Sequence, residues 1–283
     1  MELAGPDFLA PAKLNLFLHV VGRRADGYHL LQSVFVLIDR CDVVRIRVRT
    51  DGVVARVNEV AGVPSDEDLA VRAARALKEL TGTPMGADIE IGKRIPMGGG
   101  LGGGSSDAAT VLLALDRLWA TRLGADALAG LGAALGADVP FFLFGRSAWV
   151  EGIGERLAAI DVPQRWYAVL VPAVQVPTVS IFAAPELTRN TEALKMEDFS
   201  AQSGVLRFRN DLEPVVFERY PAVREHLEWL RARGEARMTG SGGCVFAAYA
   251  SRGEAQRVID ELPAGMNGFV ARGLSRHPMR TGA

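Results

Sequence analysis

A chain of 283 residues that is 49% hydrophobic can bury a full core, as one large or two medium domains. Its 32 basic residues nearly cancel 33 acidic ones, which leaves no global positive field for nucleic acid, and no uncharged apolar run reaches membrane-spanning length. Cys41 and Cys244 lie far apart, which suits a reducing compartment better than a disulfide framework; with no leader-like N-terminus, a soluble cytoplasmic protein is expected.

In residues 8 to 21, Leu14, Leu16, Leu18 and Val20 alternate as in a half-buried strand. Lys13 and Asn15 share the other face, so their side chains offer a cation and an amide to one volume. An ordinary solvent face is the competing reading, and spacing alone favours it. Gly22 to Gly27 reads as a turn and Leu30 to Asp39 as a strand opened by Tyr28 and His29. That ring pair could stack on and hydrogen-bond a base, or His29 could be structural. Val43 to Val60 reads as a hairpin turning at Thr50-Asp51-Gly52, with Arg45, Arg47 and Arg49 on its solvated face. Ser65-Asp66-Glu67-Asp68 has capping-box spacing ahead of a helix through Leu69, Val71, Ala74 and Leu77.

Ala87 to Ile91 is a short strand leading into Pro96-Met97-Gly98-Gly99-Gly100-Leu101-Gly102-Gly103-Gly104-Ser105-Ser106-Asp107. Six glycines in seven positions allow repeated positive φ and let backbone N–H groups approach an anion. Ser105 or Ser106 is expected to cap the next helix, through Ala108, Val111, Leu112 and Leu115, whose N-terminal partial charge would face the same anion. A flexible linker fits poorly between two ordered-looking segments. Gly98-x-Gly100-x-x-Gly103 meets the dinucleotide fingerprint, but a second helix, Asp126 to Leu135, follows where a strand is required. The Gly-Lys-Ser/Thr of a Walker A loop is missing. Asp138 then lies between that helix and a strand-like apolar run, either without a local partner or in an Asx turn.

From about residue 158 the pattern restarts, giving lobes at 1–157 and 158–283. The second contains a strand at Arg165 to Val171, a short helix with Phe182 capped by Thr178, and two helical segments broken at Pro221. A second glycine turn, Met238-Thr239-Gly240-Ser241-Gly242-Gly243, precedes a strand at Cys244 to Tyr249, a helix at Glu254 to Leu262 and a strand near Phe269. Strands and helices mix without a βαβ rhythm, which predicts an α+β protein of two lobes, each a sheet covered by helices. Ser275 to Ala283 reads as a loose tail.

Lys13 and Asn15 after Ala10-Pro11-Ala12, the loop from Pro96 to Asp107 and the turn from Thr239 to Gly243 together resemble the three motifs of the GHMP kinases. Asp-Gly-Tyr-His, Gly-Ala-Asp-Val-Pro-Phe and Gly-Ser-Gly-Gly-Cys-Val-Phe are similar to the branch acting on a CDP-linked methylerythritol, nearly end to end. The resemblance implies a ribosomal protein S5 domain 2-like N-terminal lobe and a ferredoxin-like C-terminal lobe. It also implies transfer of the ATP γ-phosphoryl group to the substrate 2-hydroxyl, with Mg²⁺, in non-mevalonate isoprenoid synthesis, by a monomer or homodimer.

Carried over by motif, Pro96, Met97, Gly98, Gly99, Gly100, Leu101, Gly102, Gly103, Gly104, Ser105 and Ser106 would bind ATP, while Lys13 and Asp138 meet at the acceptor hydroxyl. Tyr28 and Phe182 would sandwich cytosine, His29 would bond its edge, and Asn15, Thr239, Gly240, Ser241 and Gly242 would hold substrate and phosphates. Lys13 is expected to keep Asp138 ionised. The metal ligand is Ser106 or Asp138. Asp68 departs from the family's usual asparagine, which puts an amide contact to adenine in question and leaves a helix-start role. A homoserine or mevalonate kinase would have no cytosine to sandwich, and a nucleotide-binding module without turnover no need of Lys13 with Asp138.

Overall fold

The structure, a computed structural model, describes residue 3, residues 5–201 and residues 208–280. Two long strands, β1 (Phe8–Arg23) and β2 (His29–Arg49), form its spine as an antiparallel pair. β1 occupies one edge of β2. The other edge is shared along its length by β4 (Gly86–Gly92), the end of β10 (Gly268–Leu274) and β5 (Ala148–Glu151), which pairs in turn with β6 (Arg156–Ala159). Helices α1 (Leu69–Thr81), α2 (Gly103–Leu118), α3 (Ala125–Leu135) and α4 (Val139–Phe144) bury Leu77, Leu112, Leu115 and Phe141 against Leu37, Val44 and Ile89 of this sheet.

The C-terminal lobe runs β7 (Trp166–Leu170), α5 (Thr178–Phe182), α6 (Met196–Ala201), α7 (Glu213–Arg219), α8 (Pro221–Arg231), β8 (Ala236–Met238), β9 (Val245–Tyr249), α9 (Arg252–Asp260) and β10. Its strand order is β10-β7-β9-β8 with every neighbour antiparallel, the ferredoxin-like arrangement. The α+β expectation holds, with one difference. Gly273 and Leu274 pair with Ile38 and Leu37, so a single ten-stranded sheet runs through both lobes.

The lobes share an apolar core in which Leu14, Leu16, Val36 and Ile38 meet Tyr167, Val169, Phe246 and Ala271. This changes the reading of β1: residues 10–20 are buried on both faces, so Lys13 and Asn15 do not lie on a solvent face. Their burial comes from the second lobe, which local alternation does not register.

Val43 to Val60 is not a hairpin. β4 inserts between β2 and β3 (Val54–Arg56), antiparallel to the first and parallel to the second. Gly86 allows the insertion, because a Cβ there would sit 2.1 Å from the Val53 carbonyl oxygen. Asp68, not Ser65, caps α1, accepting the Ala70 N–H at 2.8 Å. Its other oxygen takes Arg56 at 2.5 Å, so the carboxylate has a structural role at the helix start. The expected capping box occurs instead at α9, between Ser251 and Glu254.

The tail also differs from expectation. Buried His277 and Met279 pack it back onto the first lobe, where Arg117 bonds the Met279 carbonyl and Arg280 the Leu143 carbonyl, each at 2.5 Å. Residues 281–283 of that expectation lie outside the described residues. The strap thereby ties α2 to α4, the two helices that begin at the site.

Candidate active site

The loop before α2 is shaped by alternating left-handed glycines: Gly98, Gly100 and Gly102 have φ of 70°, 75° and 74°. Gly102 occupies the helix N-cap without a side-chain cap bond, which leaves first-turn N–H groups for an anion. Ser105 and Ser106 therefore do not cap; both lie inside the first turn. Ser106 is fully buried and among the described residues its Oγ has no hydrogen-bond partner, so it is an uncommitted oxygen in the first helical turn after the cradle.

The second glycine turn interlocks with the first. Cys244 N–H donates to the Gly99 carbonyl at 3.0 Å, and a Cβ on Gly100 would lie 2.2 Å from the Thr239 carbonyl oxygen. Cys244 is fully buried, and burial pushes its thiol up to about 12. The turn joins β8 to β9 as a hairpin and also braces the cradle.

Lys13 reaches this junction from β1. Its N–H donates to the Leu101 carbonyl at 3.0 Å, its Nζ donates to Asn15 Oδ1 at 2.5 Å, and Asp138 Oδ2 lies 3.6 Å from Nζ. Thr239 accepts the Asn15 N–H at 3.0 Å, tying the pair to the second turn. Burial holds the Lys13 ammonium below its ordinary pKa, and Asp138 offsets only part of this. Asp138 stands at the start of helix α4, not of a strand; its side chain caps nothing and is 31% exposed. The apolar run Val139 to Phe144 curls into a helix with Pro140 in its first turn.

Two cavities flank the junction. One, of about 290 Å³, is bounded by the cradle, Val60, Val63, Leu69, Asp68, Lys93 and Asp107. Beneath it Lys93 contacts Asp42 and, at 2.8 Å, Asp107. Burial pushes the Asp107 carboxyl up to about 8, against a partial offset from Lys93. The other cavity, of about 480 Å³, is lined by Tyr28, His29, Phe182, Thr178, Val179 and Ala137. His29 and Phe182 rings lie 5.2 Å apart at 36°, and Tyr28 is 60% exposed. Thr178 does not cap α5, whose N-cap is Pro177; its hydroxyl bonds Ser241 at 2.6 Å and links this cavity to the second turn.

All the residues singled out from the sequence thus fall around one junction. Sequence reading passed over Lys93, Asp42, Asp107 and Arg189. An acid after two serines at the start of a helix that then runs apolar from Val111 to Leu115 was the available signal for Asp107; Arg189 had none.

A cradle at a helix start, clamped by a second glycine turn and facing a lysine–aspartate pair, defines a GHMP-type small-molecule kinase. The GHMP kinases N terminal domain matches residues 68–146, and the GHMP kinases C terminal family matches residues 184–268. The chain belongs to the 4-diphosphocytidyl-2-C-methyl-D-erythritol kinase family. It is 60% identical to the protein of that name from Thiobacillus denitrificans and 54% identical to the one from Aromatoleum aromaticum. These alignments cover 96% of both chains in the first case, and 97% of this chain and 95% of the relative in the second. A crystal structure of 4-(cytidine 5'-diphospho)-2C-methyl-D-erythritol kinase superposes with a TM-score of 0.82 at 35% identity, covering 95% of this chain and 99% of that one. A mevalonate kinase structure, at TM-score 0.70 and 16% identity, covers 96% and 100% and shares the fold.

Proposed function

We propose that this kinase transfers the γ-phosphoryl group of ATP to the 2-hydroxyl of 4-(cytidine 5'-diphospho)-2-C-methyl-D-erythritol, in the cytoplasmic non-mevalonate route to isoprenoid precursors. The carrying observation is the ring-lined cavity at Tyr28, His29 and Phe182, which reaches Ala137 beside Asp138 and bonds through Thr178 to the turn that braces the cradle. A mevalonate or homoserine acceptor would leave those rings without a partner.

In this reading residues 96–106 hold the ATP phosphates with backbone N–H groups, and the neighbouring cavity holds the adenosine. Tyr28 and Phe182 stack on cytosine, His29 bonds its edge, and Thr239 to Gly242 steady the cradle. Phosphoryl transfer needs alignment and charge neutralisation more than covalent help. As the acceptor oxygen bonds to the γ-phosphorus and the bond to the ADP oxygen breaks, Asp138 takes the hydroxyl proton. Lys13, oriented by Asn15, offsets the charge developing on the transferring group. Mg²⁺ takes oxygen ligands and keeps several waters, so the uncommitted Ser106 Oγ fits it as one protein ligand, with Asp138 the alternative, the phosphates supplying others. Among the described residues no cluster of three His, Cys, Asp or Glu side chains could hold it instead. When bound, it would neutralise phosphate charge. The lobes are taken to meet near residue 158, within β6.

The test is ADP release with ATP and Mg²⁺, comparing CDP-methylerythritol with mevalonate. Turnover with the first alone is expected; turnover with mevalonate alone overturns the assignment.

A further inference from the structure

His29 has two ring nitrogens, and the structure commits one of them. Arg189 Nε donates to His29 Nε2 at 3.0 Å. A guanidinium has no acceptor atom, so Nε2 must be the unprotonated nitrogen and Nδ1 must carry the proton. Burial, with Arg189 and Arg23 beside it, also lowers the His29 pKa and keeps the ring neutral. Among the described residues Nδ1 has no protein partner, and His29 lines the cavity with Phe182. The cavity is therefore offered one ring N–H donor.

The same guanidinium shapes the far wall. Its Nη2 donates to the Ala184 carbonyl at 2.6 Å and the Phe182 carbonyl at 3.3 Å, and its Nη1 to the Leu187 carbonyl at 2.8 Å. One side chain thus fixes both the polar edge of the pocket and the segment that carries its stacking ring.

We propose that Arg189 is a positioning residue that sets base choice in this cavity, by holding His29 as the tautomer whose Nδ1 carries the proton. This rests on the reading of the cavity as the pyrimidine site. Cytosine carries a lone pair at N3, which an Nδ1–H donor satisfies. Uracil carries N3–H there, and two donors would face each other with neither satisfied. An unsatisfied polar contact of that kind corresponds to roughly 10- to 100-fold in affinity. Stacking on Phe182 does not discriminate, because both pyrimidines present a π face. Arg189 thereby makes a stacking pocket selective.

The experiment titrates CMP and UMP into the protein with its ATP site filled by a non-hydrolysable ATP analogue, alongside ¹⁵N NMR of the His29 ring. Wild type should bind CMP roughly 10- to 100-fold more tightly than UMP and show the proton on Nδ1. Arg189→Met should bring the ratio towards unity and release the tautomer. Arg189→Lys, which keeps a donor for Nε2, should retain the preference. If Arg189→Met weakens both nucleotides equally, Arg189 is only a loop clamp and the inference is overturned; an Nε2–H ring in wild type overturns it as well. Should Arg189→Met fail to fold, the wild-type tautomer and the Arg189→Lys ratio decide. Absence of turnover with CDP-methylerythritol counts against the proposed substrate alone, because the nucleotide ratio and the tautomer are read without turnover.

Discussion

Lys13 and Lys93 border the same glycine loop, and both lose water, yet their ammonium groups respond in opposite directions. Lys93 touches two acidic side chains, Asp42 and Asp107; burial works against its charge, but these acids hold its pKa above the ordinary value. Lys13 has Asp138 at 3.6 Å and an amide oxygen, and there burial prevails. The difference separates a cation neutralised by the fold from one left short of negative charge beside the glycine loop proposed to hold phosphate. The first supports the loop from below. The second suits an anion that arrives with the substrates.

The comparison breaks most visibly in turnover. Asp138→Asn should lower kcat roughly 10²- to 10⁴-fold if the carboxylate accepts the hydroxyl proton. Near-normal turnover in steady-state assays would remove it from that role. Lys13→Met should lower kcat by roughly 10²- to 10³-fold, the scale for losing one group that stabilises transition-state charge. The same variant should leave unfolding free energy within about 1 kcal/mol of wild type, or raise it, since an apolar chain replaces an underpaired buried cation. Asn15 Oδ1 would keep the Thr239 hydroxyl as a donor at 3.2 Å. Lys93→Met should do the reverse and cost about 3–5 kcal/mol in denaturant unfolding, because it leaves the buried Asp42 carboxylate without its cation, held only by the Arg94 and Ile95 N–H groups. Equal losses of stability in the two methionine variants would erase the distinction.

A smaller effect sharpens the Lys93 side. Asp107 has a folded-state pKa of about 8 against an ordinary 3.8, so the native state retains a proton that the unfolded chain has lost. Its contribution to stability is therefore fully present below about 4 and is lost as pH rises towards about 8. Asp107→Asn should flatten that part of the stability profile, measured by unfolding between those limits. An unchanged slope would show that Asp107 is ionised throughout.

The loop's shape was legible because it is contiguous: the helix start and the glycine φ freedom that suit it to the proposed anion both lie within residues 96–107. Asp138 was legible for a different reason, an acid without a local partner ahead of an apolar run, although that run forms a helix. The Thr50-Asp51-Gly52 turn signal misled, because β4 enters the sheet between the segments the turn seemed to pair. Ser105 and Ser106 have the chemistry of caps, but the left-handed Gly102 starts the helix before them. His277 gave little warning of its burial, since the surfaces that enclose it come from α2 and the Gly145 turn.

The sequence by itself determined the elements whose cause is local: strand alternation, the glycine runs and the motifs that mark a kinase of this superfamily. Tertiary structure alone decided the environment of each charge. Lys13 and Lys93 cannot be told apart by residue type, and neighbouring sequence does not reveal how many carboxylates each will meet. Desolvation and Coulomb attraction are set by every chain segment that closes around a group. At this site those segments come from β1, β2, α2, the start of α4 and the hairpin at residue 239.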